Sequence, residues 1–501
     1  MKQLNMVDAF FLASDHPRTA QNVTIVWVYD RSTARGSPVT YEEVRDHIAS
    51  RAHLIPAFRK RVVHVPGDID LPWWVDDPNF APENHIHHNT LPPPGDWRQL
   101  RELAAQIHAR CVDLSRPLWD IHVVDGVDNV EGVPSGAFAL VMKCQHAAMD
   151  GPTSVKANET INSTNRRRRS SPVPEYSGPE PQPARWELLS RGIRHGISQP
   201  VRSARALGRL APIIADKIIA DKLLDTGSPD SKLPTVPYTR FNGRVSSHRV
   251  LDACFLDLDT VKALRGASAG ATLNDIAVTI FGGALREYLS GHGELPEAPL
   301  RALMPMALPG TAESGELGNE LTFTVVNLAT DIADPLERLS VVSASTKAAK
   351  ANMSKRGFGI TKNIFEMMPG MLIAPTVRLS SMFDNEQVGV FANVAVSNVA
   401  GPPRPVYLAG CKMVRMASAA PAPDGMGIVN YMTSYADHAN FGYSACQEMI
   451  PDPDHYTDCI RESFQALCER SGVRKSGQQR RKKQAKSAVS SQSRSKKATQ
   501  D

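Results

Sequence analysis

An abrupt change of composition between Asn165 and Pro183 constrains the fold of this 501-residue chain more than any other feature. Four consecutive arginines, Arg166–Arg169, are followed there by serines and five prolines. Proline blocks helix propagation and a run of like charges resists burial, so this stretch predicts an exposed linker. The chain is therefore expected to fold as two globular parts, one on each side of the linker.

Both parts mix strand and helix patterns. Val23–Tyr29 is rich in β-branched and aromatic residues, which is typical of a strand. In Leu100–Cys111 the apolar residues recur every three or four positions, which is typical of a helix. Similar patterns predict helices over Tyr41–Ala52 and Ile276–Leu289, and strands over Trp119–Val124, Ala137–Met142, Leu321–Leu328 and Val388–Val396.

These patterns predict an α/β (α+β) protein with four segments. Residues 1–165 form an N-terminal domain, and residues 166–239 form the linker with basic amphipathic helices. Residues 240–470 form a C-terminal domain, and residues 471–501 form a basic, disordered tail. No short repeat is visible in the sequence, so repeat architectures such as solenoids and propellers are disfavoured.

The net charge of +5 belongs to the basic tail. Of the 57 Lys and Arg residues ten lie in residues 471–501, with one acidic residue, so the body of the chain is slightly acidic. A whole-protein polyanion-binding function loses its support. The tail also lacks the aromatic residues that stack on bases, which argues against specific nucleic-acid binding and leaves weak attraction to anionic lipid.

The apolar stretches do not predict membrane crossing, and contact with a membrane surface stays open. All of them fall short of the ~20 residues that a spanning helix needs, and acidic residues interrupt the first apolar run, unlike a signal peptide.

Seven scattered cysteines without a CxxC pair indicate reduced thiols, and so a cytoplasmic protein. Trp186, Leu189, Ile193 and Ile197 recur on one helical face, which either lies at a membrane interface or packs on the protein's own core.

Residues 138–151 carry the most informative chemistry. An apolar strand ends at Gln145, His146 follows at its exit, and Asp150-Gly151 comes four residues later. Histidine titrates near neutral pH and is the commonest general base, and glycine tolerates the backbone angles of a tight turn. A His-x-x-x-Asp-Gly motif by itself is more often structural than catalytic.

A set of companion motifs in fixed order makes this motif specific. They are Asp8-Ala9-Phe10-Phe11-Leu12, His85-Ile86-His87-His88 ahead of Leu91-Pro92, Arg116-Pro117-Leu118-Trp119, Gln145–Gly151, Asn274-Asp275, Leu317-Gly318-Asn319 and Ser397-Asn398-Val399-Ala400-Gly401-Pro402. From about Lys2 to Asp452 the chain resembles the bacterial wax ester synthase/diacylglycerol acyltransferase family, a branch of the HHxxxDG acyltransferases.

The resemblance implies two chloramphenicol-acetyltransferase-like domains with a tunnel at their interface. Acyl-CoA enters such a tunnel from one side, and diacylglycerol or a fatty alcohol from the other. His146 matches the general base of the family, and Asp150 matches an aspartate that makes a structural ion pair. The matching motif residues that shape the tunnel or hold the thioester are Pro117, Leu118, Trp119, Asn274, Asp275, Ser397, Asn398, Gly401 and Pro402, with Asn274 and Asn398 as candidate oxyanion donors.

One residue departs from the family pattern, because Gln145 stands where the first histidine of HHxxxDG is expected. Glutamine is no base, although its amide donates and accepts hydrogen bonds. Two alternatives therefore stay open beside triacylglycerol or wax ester synthesis: an HHxxxDG acyltransferase with another acceptor, and a weakly active or non-catalytic lipid-binding protein.

Acyl-CoA is expected as a co-substrate, without a metal or another cofactor. His85, His87 and His88 lack the cysteine or carboxylate partners of a metal site. The expected partners are acyl-CoA, diacylglycerol or a fatty alcohol, and an anionic membrane or lipid-droplet surface. The protein is accordingly expected to be cytoplasmic and peripherally associated with such a surface, and its oligomeric state is left open.

Overall fold

The computed structural model describes residues 1–149, 151–167, 178–197, 236–307, 321–356, 369–380 and 390–473. The helices are α1 (Met6–Ala13), α2 (Tyr41–Ala52), α3 (Pro56–Arg59), α4 (Trp97–Ala109), α5 (Gly151–Ile161), α6 (185–197), α7 (Leu258–Ala263), α8 (Leu273–Gly291), α9 (Pro335–Arg356), α10 (Ile373–Ser380) and α11 (Pro453–Ser471). The strands are β1 (Lys2–Gln3), β2 (Asn22–Asp30), β3 (Lys60–Val63), β4 (Trp73–Asp76), β5 (Ile86–Thr90), β6 (Trp119–Val127), β7 (Ala137–Gln145), β8 (Arg249–Asp257), β9 (Arg301–Ala307), β10 (Leu321–Asn327), β11 (Val394–Ala400), β12 (Tyr407–Leu408), β13 (Cys411–Ala419), β14 (Ile428–Tyr435) and β15 (His438–Cys446).

The first large sheet has the strand order β12-β13-β2-β7-β6-β5. Strand β7 is buried along its whole length, between β2 and β6. Apolar clusters cover both faces of this sheet, with Trp27 and Phe138 in one cluster and Val28 and Val141 in the other. A strand covered on both faces is apolar at successive positions, which explains the continuous apolar run that predicted β7.

Two strands of this first sheet come from the distant residues 407–419. Strand β13 pairs antiparallel with β2, with Met416 opposite Trp27, and β12 continues the sheet beyond β13. A further bridge joins Ser163 to Tyr407. The two parts of the chain are therefore interlocked through a shared sheet.

The second large sheet has the strand order β10-β9-β11-β14-β15-β8, in which β11 runs parallel to both of its neighbours. Helix α8 is buried along most of its length in the core beside this sheet. It begins with a capping box between Thr272 and Asp275, which satisfies amide groups that a helix N-terminus leaves unpaired. The predicted helix Ile276–Leu289 is confirmed and extends to Leu273 and Gly291.

The predicted strand Val388–Val396 is displaced, because pairing in β11 begins at Val394. Residues 388 and 389 lie outside the described residues. Just before β11, the side-chain oxygen of Asn393 accepts the Arg301 N–H at 2.9 Å, and its amide nitrogen donates to the Pro237 carbonyl at 2.6 Å. These side-chain bonds fix the entry into the strand, so the regular ladder starts one residue later.

Part of the predicted linker is helical. Helix α6 buries Leu188 beside Trp73, and Gly192 lies against Ile69. The predicted apolar face points elsewhere: Trp186 is 73% exposed and Ile197 is 75% exposed. The alternative that this face packs on the protein's own core is therefore wrong. Residues 198–235 and 474–501 lie outside the described residues, and among the helices that are described none has the length and apolarity to cross a membrane.

Candidate active site

The motif occupies the turn between β7 and α5. Strand β7 ends at Gln145, and α5 begins at Gly151. The intervening turn is closed by the Ala148 N–H, which donates to the Gln145 carbonyl at 2.9 Å, and by the Met149 N–H, which donates to the His146 carbonyl at 3.3 Å. Asp150 lies outside the described residues, so its predicted ion pair remains a prediction.

His146 is half-buried and held from two sides. Its backbone N–H donates to the Gln21 carbonyl at 2.7 Å. Its ring stacks on the ring of Phe11 in α1, with centroids 4.0 Å apart and planes inclined by 11°. The Gln21 N–H in turn donates to the Asp15 carboxylate at 2.9 Å. The segment from α1 to β2 therefore fixes where the imidazole lies.

Gln145 braces the same turn from inside. It is fully buried, its backbone N–H donates to the Leu118 carbonyl at 3.0 Å, and its side-chain oxygen accepts the Ala147 N–H at 2.5 Å. The amide nitrogen of Gln145 has no hydrogen-bond partner among the described residues. A histidine at this position would offer one ring nitrogen as acceptor for the same Ala147 N–H. Glutamine therefore keeps this hydrogen bond within the turn.

The Pro117-Leu118-Trp119 segment lies directly behind Gln145, and all three residues are buried. The indole of Trp119 stacks on Phe58 at 4.3 Å and on His85 at 4.5 Å, and its N–H donates to the Phe58 carbonyl at 2.8 Å. Burial lowers the pKa of His85, whose ring donates to the Trp119 carbonyl at 2.8 Å. This motif forms a tightly packed wall behind the turn that carries Gln145 and His146.

The other histidines of that segment pair with carboxylates. His87 contacts Asp120 at 3.3 Å, and His88 contacts Asp125 at 2.7 Å. Within the described ranges no group of three or more His, Cys, Asp or Glu side chains is arranged to hold a metal ion. These contacts with carboxylates indicate structural roles for His87 and His88 in the first sheet.

Asn274 and Asp275 lie at the start of α8. Asp275 is buried, caps the helix through Thr272, and accepts the Thr346 hydroxyl from α9 at 2.6 Å. Asp275 therefore joins two helices. Asn274 is half-buried, and no hydrogen bond between described residues connects it to His146. The structure accordingly gives Asp275 a packing role and leaves the oxyanion role of Asn274 a prediction.

The Ser397–Pro402 segment forms the end of β11 and the loop after it. Ser397 is half-buried and Asn398 is exposed. The Gly401 N–H donates to the Ser434 carbonyl at 2.9 Å, and a Cβ atom at Gly401 would overlap that same oxygen. Glycine is therefore required for the close approach of these two backbones. Gly401 and Pro402 line a cavity that α5 also lines.

Two cavities adjoin the elements that carry His146, and they share no lining residue. The first, here called the arginine cavity, has a volume of about 1350 Å³ and is bordered by α2, α5 and the loop 401–409. The second, here called the α1 cavity, has a volume of about 800 Å³ and is bordered by α1, Gln21 and α10. Helix α5 follows His146 in sequence and the Gln21 carbonyl accepts the backbone N–H of His146, so each cavity is lined by an element adjacent to the turn.

Sequence reasoning missed three of these residues. Phe11 was quoted in a motif without a role, and Gln21 and Asp15 carried no signal of their own. The aromatic pair Phe10-Phe11 in a short helix is the only feature that could have indicated a ring partner for His146. The contact itself joins positions far apart in the chain, which no local pattern reports.

Two mixed sheets joined by strands from both parts of the chain, with His146 at the exit of a central strand, form the two-domain architecture of chloramphenicol-acetyltransferase-like proteins. A model described as the wax ester synthase/diacylglycerol acyltransferase catalytic domain matches residues 4–277, and one described as the WS/DGAT C-terminal domain matches residues 317–468. The chain belongs to the wax ester synthase/diacylglycerol acyltransferase family. The predicted fold class, family and O-acyltransferase class are thereby confirmed.

Individual relatives agree with this membership. The chain is 27% identical over 476 residues to a putative diacylglycerol O-acyltransferase of Mycobacterium tuberculosis, covering 94% of this chain and 90% of that protein. It is 26% identical over 467 residues to the O-acyltransferase WSD of Acinetobacter baylyi, covering 93% and 96%. The solved wax ester synthase/diacylglycerol acyltransferase from Marinobacter aquaeolei VT8 shares the fold, with a TM-score of 0.65, 23% identity and coverage of 94% and 100%.

Proposed function

We propose that this protein transfers a fatty acyl group from acyl-CoA to the hydroxyl group of diacylglycerol or a long-chain alcohol, giving triacylglycerol or a wax ester. Family membership supports the reaction class. The observation that carries the assignment of the base is the imidazole of His146, which Gln21 and Phe11 hold in the turn between β7 and α5.

In this mechanism His146 removes the proton of the acceptor hydroxyl while the hydroxyl oxygen attacks the thioester carbonyl carbon. The base is needed because an alcohol has a pKa near that of bulk water, about 16. The tetrahedral oxyanion then collapses, the C–S bond breaks, and the imidazolium returns its proton to the CoA thiolate. A positioned histidine contributes roughly 10²–10⁴-fold to such a step.

The oxyanion needs hydrogen-bond donors in a water-excluded place, and such a donor contributes roughly 10²–10³-fold. Of the two candidates, Asn274 is half-buried whereas Asn398 is exposed. We therefore favour Asn274 as the donor. Asp150 keeps its proposed role as the member of a structural ion pair.

Gln145 is compatible with an active enzyme because its hydrogen bonds only support the turn. Its side-chain oxygen and its backbone bond to Ala147 and Leu118, and neither contact requires a titratable group. The base is the neighbouring His146, so the first histidine of the family motif is dispensable for proton transfer in this proposal.

Labelled palmitoyl-CoA offered with diacylglycerol, with hexadecanol or with neither acceptor tests the proposal. We expect labelled ester with at least one acceptor, and a loss of roughly 10²–10⁴-fold in kcat for His146→Ala. His248→Ala is the matched control, because that side chain is 70% exposed and pairs with Glu448. Ester formation that survives His146→Ala contradicts the mechanism, and acyl-lipid binding without any ester favours a non-catalytic protein.

We also propose that the protein works on an anionic lipid surface. Besides the exposed stripe of α6, a second exposed apolar set consists of Met371, Leu372 and Leu379 in residues 370–380. Gly192 of α6 packs on Ile69, and Gly370, three residues before α10, packs on Leu71, so both segments contact the connection between β3 and β4. The exposed Arg194 lies on α6, and the sequence adds ten Lys and Arg residues in residues 471–501; this positive charge fits anionic headgroups.

The mouth of the α1 cavity adjoins this apolar face. Phe10 is 44% exposed, Met371 is 49% exposed, and both line the cavity together with Leu71. A lipid acceptor leaving a bilayer would therefore meet apolar side chains at the entrance. This supports the α1 cavity as the entry for diacylglycerol or a fatty alcohol.

Sedimentation with vesicles of phosphatidylcholine and phosphatidylglycerol tests the surface. The double variant Trp186→Ser with Ile197→Ser is expected to release most of the protein, and raised salt is expected to release part of it through screening. Phe391→Ser is the control, an exposed aromatic residue outside α6 and α10. Equal binding of the double variant and the parent protein would refute the apolar contact.

A further inference from the structure

The arginine cavity is strongly basic. Among the described residues that line it there are five arginines and one carboxylate, that of Glu159; the arginines are Arg35, Arg51, Arg166, Arg167 and Arg404. Nothing in the mechanism above uses this charge. A cavity of this sign raises the local concentration of anions.

Two buried polar side chains face the same cavity. Asn158 in α5 is 2% exposed, and both polar atoms of its side chain lack a hydrogen-bond partner among the described residues. Arg51 in α2 is 8% exposed and donates to the His47 carbonyl at 3.1 Å and to the Ser50 hydroxyl at 2.9 Å. A buried amide without a partner is costly unless a ligand supplies one.

The buried charge of Arg51 has no counter-ion in the described part of the chain: no ion pair joins it, Arg167 or Arg404 to a carboxylate there. His47 supplies no further charge at neutral pH, since burial and then the nearby Arg51 lower its pKa to about 4. Its neutral ring donates to the Ile161 carbonyl at 2.9 Å. The positive charge therefore comes from the arginines, whose forked donors match phosphate oxygens.

We infer that the arginine cavity binds the phosphate groups of acyl-CoA, with Arg51 and Asn158 on its floor and Arg167 and Arg404 at its rim. This inference rests on the proposed function. Helix α5 begins five residues after His146, and Asn158 lies seven residues further on, about 10 Å along the axis at 1.5 Å per residue. The phosphates would thus be held at a distance from the base, with the acyl thioester directed toward it.

The motif residues Gly401 and Pro402 acquire a role in this arrangement. The close contact of Gly401 with the Ser434 carbonyl fixes the start of the loop that carries Arg404. The Ala436 N–H donates to the Pro402 carbonyl at 3.0 Å and fixes the next residue. The loop is thereby positioned to present Arg404 to the cavity that Asn158 lines.

Calorimetric titration with coenzyme A, 3′-dephospho-coenzyme A and inorganic phosphate tests the inference directly. The double variant Arg167→Gln with Arg404→Gln removes two exposed charges, so its folding is not at risk. We expect it to weaken coenzyme A binding at least about tenfold, since hydrogen bonds to charged groups are involved. The loss should be smaller for 3′-dephospho-coenzyme A, which lacks one phosphate.

Asn158→Asp tests the floor of the cavity with a side chain of the same size and one negative charge. We expect a loss of about tenfold or more in coenzyme A affinity, because a buried carboxylate repels phosphate. Arg98→Gln is the control, a surface arginine of α4 that is 71% exposed and pairs with Glu102. A melting curve shows whether Asn158→Asp folds. If it does not fold, the double arginine variant alone tests the inference.

Phospholipid headgroups carry the same chemistry, so binding to phosphatidylglycerol vesicles is measured in parallel. Unchanged coenzyme A affinity in both variants overturns the inference, and so does a loss confined to vesicles, which would assign the cavity to a headgroup. Loss of coenzyme A binding in a protein that forms no ester supports the cavity and contradicts the proposed function. Ester formation by the protein, together with cavity variants that bind coenzyme A normally, supports the proposed function and contradicts the inference about the cavity.

Discussion

The rings of Phe11 and His146 lie face to face, 4.0 Å apart and 11° from parallel. One belongs to the first helix of the chain and the other to the turn after β7. Stacking restricts rotation of the imidazole about its side-chain torsions, and the bond from the His146 N–H to Gln21 fixes its backbone. A general base acts only within hydrogen-bond reach of the proton that it abstracts, so Phe11 is a positioning residue in the proposed mechanism.

Replacing Phe11 by alanine is expected to lower kcat by roughly threefold to tenfold, because aromatic stacking contributes about 0.5–1.5 kcal/mol. The Michaelis constant for acyl-CoA should change less than kcat. Phe11→Tyr, which keeps the ring, should recover most of the rate, and Phe391→Ala is the control for an exposed aromatic. A Phe11→Ala enzyme with parental kcat would show that the stack does not position the base.

Gln145→Ala is expected to affect stability more than proton transfer. The substitution leaves the buried Ala147 N–H without its acceptor, which costs about 1–3 kcal/mol in the free energy of unfolding. The loss in kcat should remain smaller than that of His146→Ala. Urea unfolding and initial rates measure the two effects separately, and equal rate losses in the two variants would give Gln145 a chemical role.

Local patterns predicted the elements but not their long-range contacts. Helix α2 and strand β2 follow from capping, periodicity and β-branched residues, which are properties of neighbouring positions. Strand β13 completes the first sheet beside β2 across almost 400 residues, and its short amphipathic sequence does not indicate its partner. The domain boundary drawn from composition therefore separates segments that the sheet joins.

The candidate site shows the same division. His146 is recognisable because the motif is local, whereas Phe11 reaches it through the packing of α1. Asn158 is a polar residue in the middle of a helix, where sequence favours an exposed position. Its burial beside Arg51 depends on how α2, α5 and the loop 401–409 meet, which no single segment specifies.

Asp252 connects the two parts of the chain, and its removal is expected to destabilise both. It accepts the Trp97 indole N–H at 2.7 Å and the Thr457 hydroxyl at 2.7 Å, and it forms a buried ion pair with Arg101. Asp252→Ala leaves Arg101 with Asp454 at 2.8 Å as its remaining counter-ion and deprives the Trp97 and Thr457 donors of their acceptor, and about 1–3 kcal/mol is typical for each buried donor left without a partner. The free energy of unfolding in urea measures this loss.

The neighbouring surface pair provides the comparison for Asp252. Glu102→Gln breaks the exposed contact with Arg98 on the same helix, and exposed pairs contribute about 0–1 kcal/mol. We therefore expect a much smaller loss in that variant. If Asp252→Ala cost no more than Glu102→Gln, the ion pair would not be a link between the two parts.

Buried His108 predicts acid sensitivity of the fold. It is 1% exposed, and its ring nitrogens bond to the Thr24 hydroxyl at 3.0 Å and to the Ala420 carbonyl. Burial, reinforced by the nearby Arg249, lowers the pKa of His108 from 6.5 to about 3. Below pH 6.5 the unfolded chain binds a proton that the folded chain refuses, so stability is full above pH 6.5 and falls as the pH decreases toward 3.

Between pH 7.5 and pH 5 this single group should cost about 2 kcal/mol in the free energy of unfolding. His47 and His122, whose pKa values burial lowers to about 4, act in the same direction. His108→Gln keeps a polar amide at the site and removes only one titrating group. Urea unfolding of both proteins at the two pH values should therefore give a pH-dependent loss that is smaller by about 2 kcal/mol in the variant. Identical losses would mean that His108 is protonated within the folded protein.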